Sequence, residues 1–236
     1  MAESKGLSGN GLKIIAAVSM LVDHVGVIFF PRVLLLRILG RLAFPIFAYM
    51  IAEGCRYTRN RRRYFLTVFG LAAICQSVYF IYDRDLYMCI LVTFSLSILM
   101  IYLLQNMKAA PTAWSCLLWG GAFALAVAAV WWLNSVVLID YGFWGCMVPV
   151  FAAVFQGRGR ISADKLDRKM IHVLMLGIGL VILAVSLGGV QHYSLLVLPL
   201  LMAYSGKIGR FKMKYFFYLF YPLHLAALEG LAMLLK

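Results

Sequence analysis

Met20-Leu-Val-Asp-His-Val-Gly-Val27 decides how this chain must fold. It places Asp23 and His24 side by side within an apolar run from Leu12 to Phe30, long enough to cross a bilayer as one helix. A carboxylate at the centre of such a helix costs about 2.5 to 3.5 kcal/mol even on the gentler insertion scales. Ionisable residues kept there need partners, and their default reading is a functional site.

Working outward, apolar runs of membrane length recur as far as residue 235. The 236 residues are 64% hydrophobic and 13% charged, against roughly 25% charged in a soluble domain. Mean hydropathy is +0.91. Lipid offers no water to free peptide groups, so the spans must be helices, and the alternating ten-residue segments of a barrel are absent. The expected fold is an all-α, polytopic integral membrane helical bundle, with residues 1–236 as a single domain. The first eleven residues lack a secretory cleavage site, so the first span is expected to be retained. The net charge of +13 is read as basic residues gathered in cytoplasmic loops, with no nucleic-acid partner. Cys55, Cys75, Cys89, Cys116 and Cys146 lie scattered in apolar runs without CxxC spacing, which implies neither a disulfide framework nor a metal site.

About nine spans are expected: 12–30, 33–54, 64–82, 87–104, 113–133, 136–156, 170–188, 191–205 and 213–235. The eighth is short and suits a partly re-entrant segment, and the break at Asn134-Ser135 is weak, so eight or ten spans also fit. With the N-terminus inside, 17 of the 22 Lys and Arg residues fall on inner segments. Lys5, Arg158, Arg160, Arg210 and Lys212 are among them, and Lys236 falls outside. The bias predicts an N-in, C-out chain with an odd number of spans. No internal repeat is evident, which argues against the inverted-repeat plan of transporters.

Depth counting then selects residues. At about 1.5 Å per residue, His24 and Gln76 lie roughly 18 Å from the inner face, His224 roughly 16 Å, and Arg41 of the descending second span about 18 Å. Lipid exposure is costly for each, so convergence on a common cavity is expected. Pro45 removes the partner of the Arg41 carbonyl, which predicts a bend there, and Pro222 does the same near His224. Arg37 and Arg41, four apart, share a helix face. Asp23 suits an ion pair with Arg41 or Arg37, either structural or functional. Glu53 suits a partner for the run Arg56-Tyr-Thr-Arg59-Asn-Arg61-Arg62-Arg63, or a substrate contact. That run is first a topogenic loop, yet its density also suits a phosphate-rich ligand. Asp140, Tyr141 and Tyr221 complete the candidates, while His172 and His192, at span ends, are read as bland.

The set Asp23-His24, Gly40-Arg-Leu-Ala-Phe-Pro-Ile-Phe47, Glu53-Gly54 with Thr58, Asp140-Tyr-Gly142 and Phe217-Tyr-Leu-Phe-Tyr-Pro-Leu-His224 resembles the TraX family. The resemblance extends over nearly the whole chain. It departs in the fourth span, where Tyr87-Met-Cys-Ile-Leu-Val-Thr-Phe94 lacks an Asn of the family pattern. The resemblance implies pilin N-acetylase-like chemistry and kinship with the transmembrane acyltransferases. These move acetyl groups from cytosolic acetyl-CoA with an intramembrane histidine, here His24. With the charge bias, it also implies a bacterial plasma membrane.

Acetyl transfer needs a base, a group to stabilise the oxyanion, and a grip on CoA. His24 suits the base, because imidazole titrates near working pH. Asp23, about 100° away around the helix, does not orient its neighbour and is better placed for Arg41 or Arg37. His24 then meets His224 or Tyr221, or acts alone. Arg41 suits the oxyanion or a substrate carbonyl, with Arg37, Gln76, Glu53, Asp140 and Tyr141 toward substrate. Arg56, Arg59, Arg61, Arg62 and Arg63 suit the CoA phosphates. The acceptor is an amine, as at a peptide or protein N-terminus, or a small-molecule hydroxyl. A covalent acetyl-histidine and direct transfer both fit. Two other classes are compatible with the same polar set: a proton-coupled transporter, and a structural membrane component of a conjugation or secretion apparatus.

Overall fold

The structure is a computed structural model that describes residues 6–84, 86–155, 165–207, 209 and 214–235. Lys5, Arg158, Arg160, Arg210, Lys212 and Lys236 of the charge count lie outside the described residues, as do Gln156 and Met213 at two expected span ends. The helices in order are α1 (Gly9–Ile28), α2 (Leu34–Gly40), α3 (Ala43–Tyr57), α4 (Arg61–Asp83), α5 (Ile90–Lys108), α6 (Ala113–Val136), α7 (Gly142–Ala153), α8 (Lys165–Leu187), a 3-10 helix (Gly189–Val197), α9 (Leu198–Met202) and α10 (Lys214–Leu234). Among the described residues there is no strand, only the isolated bridges Leu7–Tyr204 and Met88–Ile139 between connections.

Among the described residues, six helical segments are long and apolar enough to cross a membrane: 9–28, 34–57, 61–81, 90–108, 113–136 and 169–187. Three shorter apolar helices, 142–153, 189–202 and 219–234, fall where the sixth, eighth and ninth spans were expected. The protein is an all-α polytopic membrane protein. Its helix ends follow local chemistry. Ser8 caps α1 by accepting from the Gly11 amide. Asn60 caps α4 through the Arg63 amide. Thr112 and Ser115 form a reciprocal capping box at α6.

Two expected features take a sharper form. The expected irregularity at Pro45 is a two-residue interruption: α2 stops at Gly40 and α3 starts at Ala43, with Arg41 and Leu42 in a turn. Pro45 has no N–H to offer the carbonyl four residues back, so the helix ladder stops at Arg41. The short eighth span opens as a 3-10 helix. Gly188 (φ 68°) and Gly189 (φ 55°) end α8 in a conformation that side chains disfavour, and Pro199 starts α9.

The chain forms two compact units. The first joins the residues up to Met50 with those from Leu187 onward, and the second is Ile51–Ser186. In the first, α1 packs on α2 and α10, and the 3-10 helix packs on α2 and α9. In the second, α5 is central, touching α4, α6 and α7. Its buried hydroxyls are satisfied by backbone: Ser97 donates to Cys146 O and Thr93 to Asp140 O, both at 2.8 Å. Such bonds hold helices together where lipid removes the hydrophobic drive.

Candidate functional site

In the first unit, Asp23 on α1 faces two arginines of the second span. Arg37 Nη1 lies 2.9 Å from Oδ1, and Arg41 Nη2 lies 2.5 Å from Oδ2. The side chains of Asp23 and Arg41 are only 15% and 11% exposed. Two cations on one carboxylate leave a net positive charge, which a low dielectric makes felt. Two glycines permit this approach. A methyl group at Gly40 would overlap the Asp23 side chain, and one at Gly26 would come within 2.8 Å of Leu36 Cβ. The other terminal nitrogen of Arg41, Nη1, donates to Gln191 Oε1 on the 3-10 helix at 3.3 Å. Arg41 thus has both Nη atoms on protein partners.

His24, one residue on, points elsewhere, as helix geometry requires. Its ring meets that of His224 on α10, with centroids 5.0 Å apart at 72°. His24 Nδ1 lies 2.8 Å from Met20 O, and His224 Nδ1 lies 2.8 Å from Phe220 O. A carbonyl only accepts, so in each neutral ring Nδ1 carries the hydrogen and Nε2 keeps its lone pair. Each histidine is locked by its own helix into the tautomer of a base. His224 is 7% exposed, and its Nε2 has no hydrogen-bond partner. Phe220 stacks on His224 at 4.9 Å, and buried Tyr221 meets it edge-on at 5.8 Å. The unit therefore gathers Asp23, His24, Arg37, Arg41, Tyr221 and His224.

The remaining candidates belong to the second unit. Glu53, buried on α3, pairs with Arg56 at 3.7 Å. Arg61 is anchored to α5: it donates to Asn106 Oδ1 at 2.7 Å and to Gln105, and lies over the Tyr102 ring at 4.8 Å. Arg59, Arg62 and Arg63 are exposed. Arg62 and Arg63, with Asn60, Leu66 and Thr67, line a shallow cavity of about 350 Å³ at the start of α4. Gln76, counted to the depth of His24, has another use. Its amide donates to Tyr87 O at 2.8 Å and accepts from the Cys89 amide at 3.1 Å, fastening the α4–α5 connection along α4. Asp140 and Tyr141 sit in the turn before α7. The Asp140 amide donates to Met88 O at 2.9 Å, its carbonyl accepts from Thr93, and Tyr141 adopts a left-handed φ of 60°.

The TraX protein family model matches residues 8–232, which include every residue of both groups. The chain belongs to the TraX family. A probable fimbrial assembly protein FimC, serogroup H1, from Dichelobacter nodosus is 28% identical over 263 aligned residues, covering all of both chains. The uncharacterized protein RP591 of Rickettsia prowazekii (strain Madrid E) is 26% identical over 142 residues, 60% of this chain and 53% of that one. No solved structure matches at a significant level. In this TraX chain, the residues around Asp23 and Arg41 that sequence reasoning passed over are Gly40, as a contact surface, and Gln191, with buried Ser194 three residues on. Their signal was slight: a glutamine and a serine three apart in a span short for crossing a bilayer as one α-helix.

Proposed function

We propose that this protein is a membrane-embedded acetyltransferase that moves an acetyl group from acetyl-CoA to an amine, such as a peptide or protein N-terminus. The observation that carries the reading is the imidazole pair, with both Nδ1–H groups held by backbone carbonyls and both Nε2 lone pairs left as bases. His24 is assigned the acceptor's proton, because it is less buried than His224 and better open to an incoming amine. His224 supports it across the ring contact. The Arg37–Asp23–Arg41 group fixes α1 against α2 and leaves a net positive charge that favours a developing oxyanion. Arg59, Arg62 and Arg63 are the arginines of the basic run with heads in solvent, and they are assigned the CoA phosphates. Arg61 and Arg56, held by Gln105, Asn106 and Glu53, are assigned to structure.

The proposed setting is fimbrial assembly, drawn from the printed name of the Dichelobacter nodosus relative, in a bacterial plasma membrane, drawn from the loop charge bias. The test is transfer of labelled acetyl from acetyl-CoA to N-terminal amine peptides by protein in lipid vesicles. Loss of a general base lowers the rate about 10² to 10⁴-fold, so His24→Ala should fall in that range while remaining folded. A folded His24→Ala protein with full activity would refute the assignment.

A further inference from the structure

The 3-10 helix carries a polar stripe that the acetyl-transfer reading has not used. Side chains three apart eclipse in a 3-10 helix, so Gln191, Ser194 and Val197 line one face, and all three are buried. Gln191 is 3% exposed and Ser194 fully enclosed. A guanidinium holds only donors, so the Gln191 atom facing Arg41 must be its amide oxygen. The NH2 group is thereby turned away from Arg41. It meets no acceptor there, and the Ser194 hydroxyl also has no partner. Buried donors are satisfied in nearly all native structures, so two orphans on one stripe ask for an occupant. An occupant that presents an oxygen acceptor satisfies both groups at once, whereas a cation would leave the Gln191 N–H unmet and a hydrocarbon would leave both unmet.

We propose that Gln191 Nε2 and Ser194 Oγ form a cradle for the carbonyl oxygen of the acyl group in transfer. The proposal rests on the acetyl-transfer reading above. The acceptor's nitrogen lone pair forms a bond to the carbonyl carbon, and the π pair moves onto the oxygen. The two donors hold that charge. The pair then returns, the carbon–sulfur bond breaks, and the thiolate leaves with its electrons. The amine proton passes to imidazole and from there to the thiolate. Arg41, donating to the other end of the amide, polarises the Gln191 N–H toward this role. Donors already fixed in place are the efficient form of such stabilisation, because nothing reorganises as charge appears.

Gln191→Glu separates the outcomes. It keeps an oxygen for Arg41 and the side-chain volume, but replaces the donor with an acceptor and adds a carboxylate, so Ser194→Ala, which removes a donor without changing charge, is measured beside it and must also lower kcat. Removal of one oxyanion donor lowers kcat about 10² to 10³-fold. Gln191→Glu should do so with the KM for acetyl-CoA and the thermal midpoint within about threefold and a few degrees of wild type by that argument. A folded variant with wild-type kcat overturns the cradle and leaves acetyl transfer standing. Wild-type protein that transfers no acetyl to any amine overturns both. If Gln191→Glu does not accumulate, Ser194→Ala removes one hydroxyl and decides by the same comparison.

Discussion

Asp23→Asn leaves two guanidinium groups around a neutral amide. Breaking a buried ion pair by removing one partner typically costs about 3 to 5 kcal/mol. We expect a loss near the lower end, about 3 kcal/mol, because the site keeps some exposure. The measurement is thermal or denaturant unfolding in detergent. Asp23→Asn with Arg41→Gln should recover part of the loss, since residues in one network are not additive. The pairing of Asp23 with an arginine was legible in the sequence because a charge in lipid must be answered, and the second span offers arginines at the matching depth. Gln191 was not legible. It is neutral, and its partner Arg41 lies 150 positions away. Gln76 shows a related limit of counting along the chain: a polar side chain can be satisfied by the backbone of its own following connection, and no linear count registers a chain that folds back.

At the scale of the element, close helix approach separates two glycines of similar sequence context. Gly40→Ala should destabilise by about 1 to 3 kcal/mol, the range for forcing extra atoms into a packed site. Gly70→Ala on α4 meets nothing within 4 Å and should be neutral or gain up to about 1 kcal/mol from helix propensity. Unfolding midpoints of the two variants, side by side, check this. Arg62→Ala with Arg63→Ala at the start of α4 should weaken acetyl-CoA binding about tenfold, as loss of charge-assisted phosphate contacts implies. Titration calorimetry reads it, and unchanged affinity would remove these residues from the CoA site. The eighth span explains its own shortness. At about 2.0 Å per residue in the 3-10 part, the segment 189–202 reaches about 25 Å, several ångström more than an α-helix of equal length. Hydropathy shows the apolar run but not its rise, so the sequence read as a short span what the backbone lengthens by winding tighter.

For the whole molecule, the count of inner and outer basic residues predicts an N-in, C-out chain. Alkaline phosphatase fused after Lys236 should be active in intact bacteria, while a fluorescent protein at the same place should stay dark. The reverse pattern would invert every assignment of inner and outer loops. Helix class was legible throughout, because lipid imposes one rule on every span, while the interruption of the second span and the 3-10 winding of the eighth were not. The division into two units was not, because it depends on which helices close on which.

The first unit is assembled from both halves of the chain, and this sets an order in time. A ribosome inserts α1 and α2 as neighbours, so the charge on Asp23 can be neutralised almost as soon as it enters the bilayer. His24 enters with them, but its imidazole partner at position 224 follows two hundred residues later. During synthesis the ion pair at Asp23 can therefore form well before the histidine pair does. The histidine pair is completed only when α10 arrives, so no shortened translation product that lacks α10 can hold it.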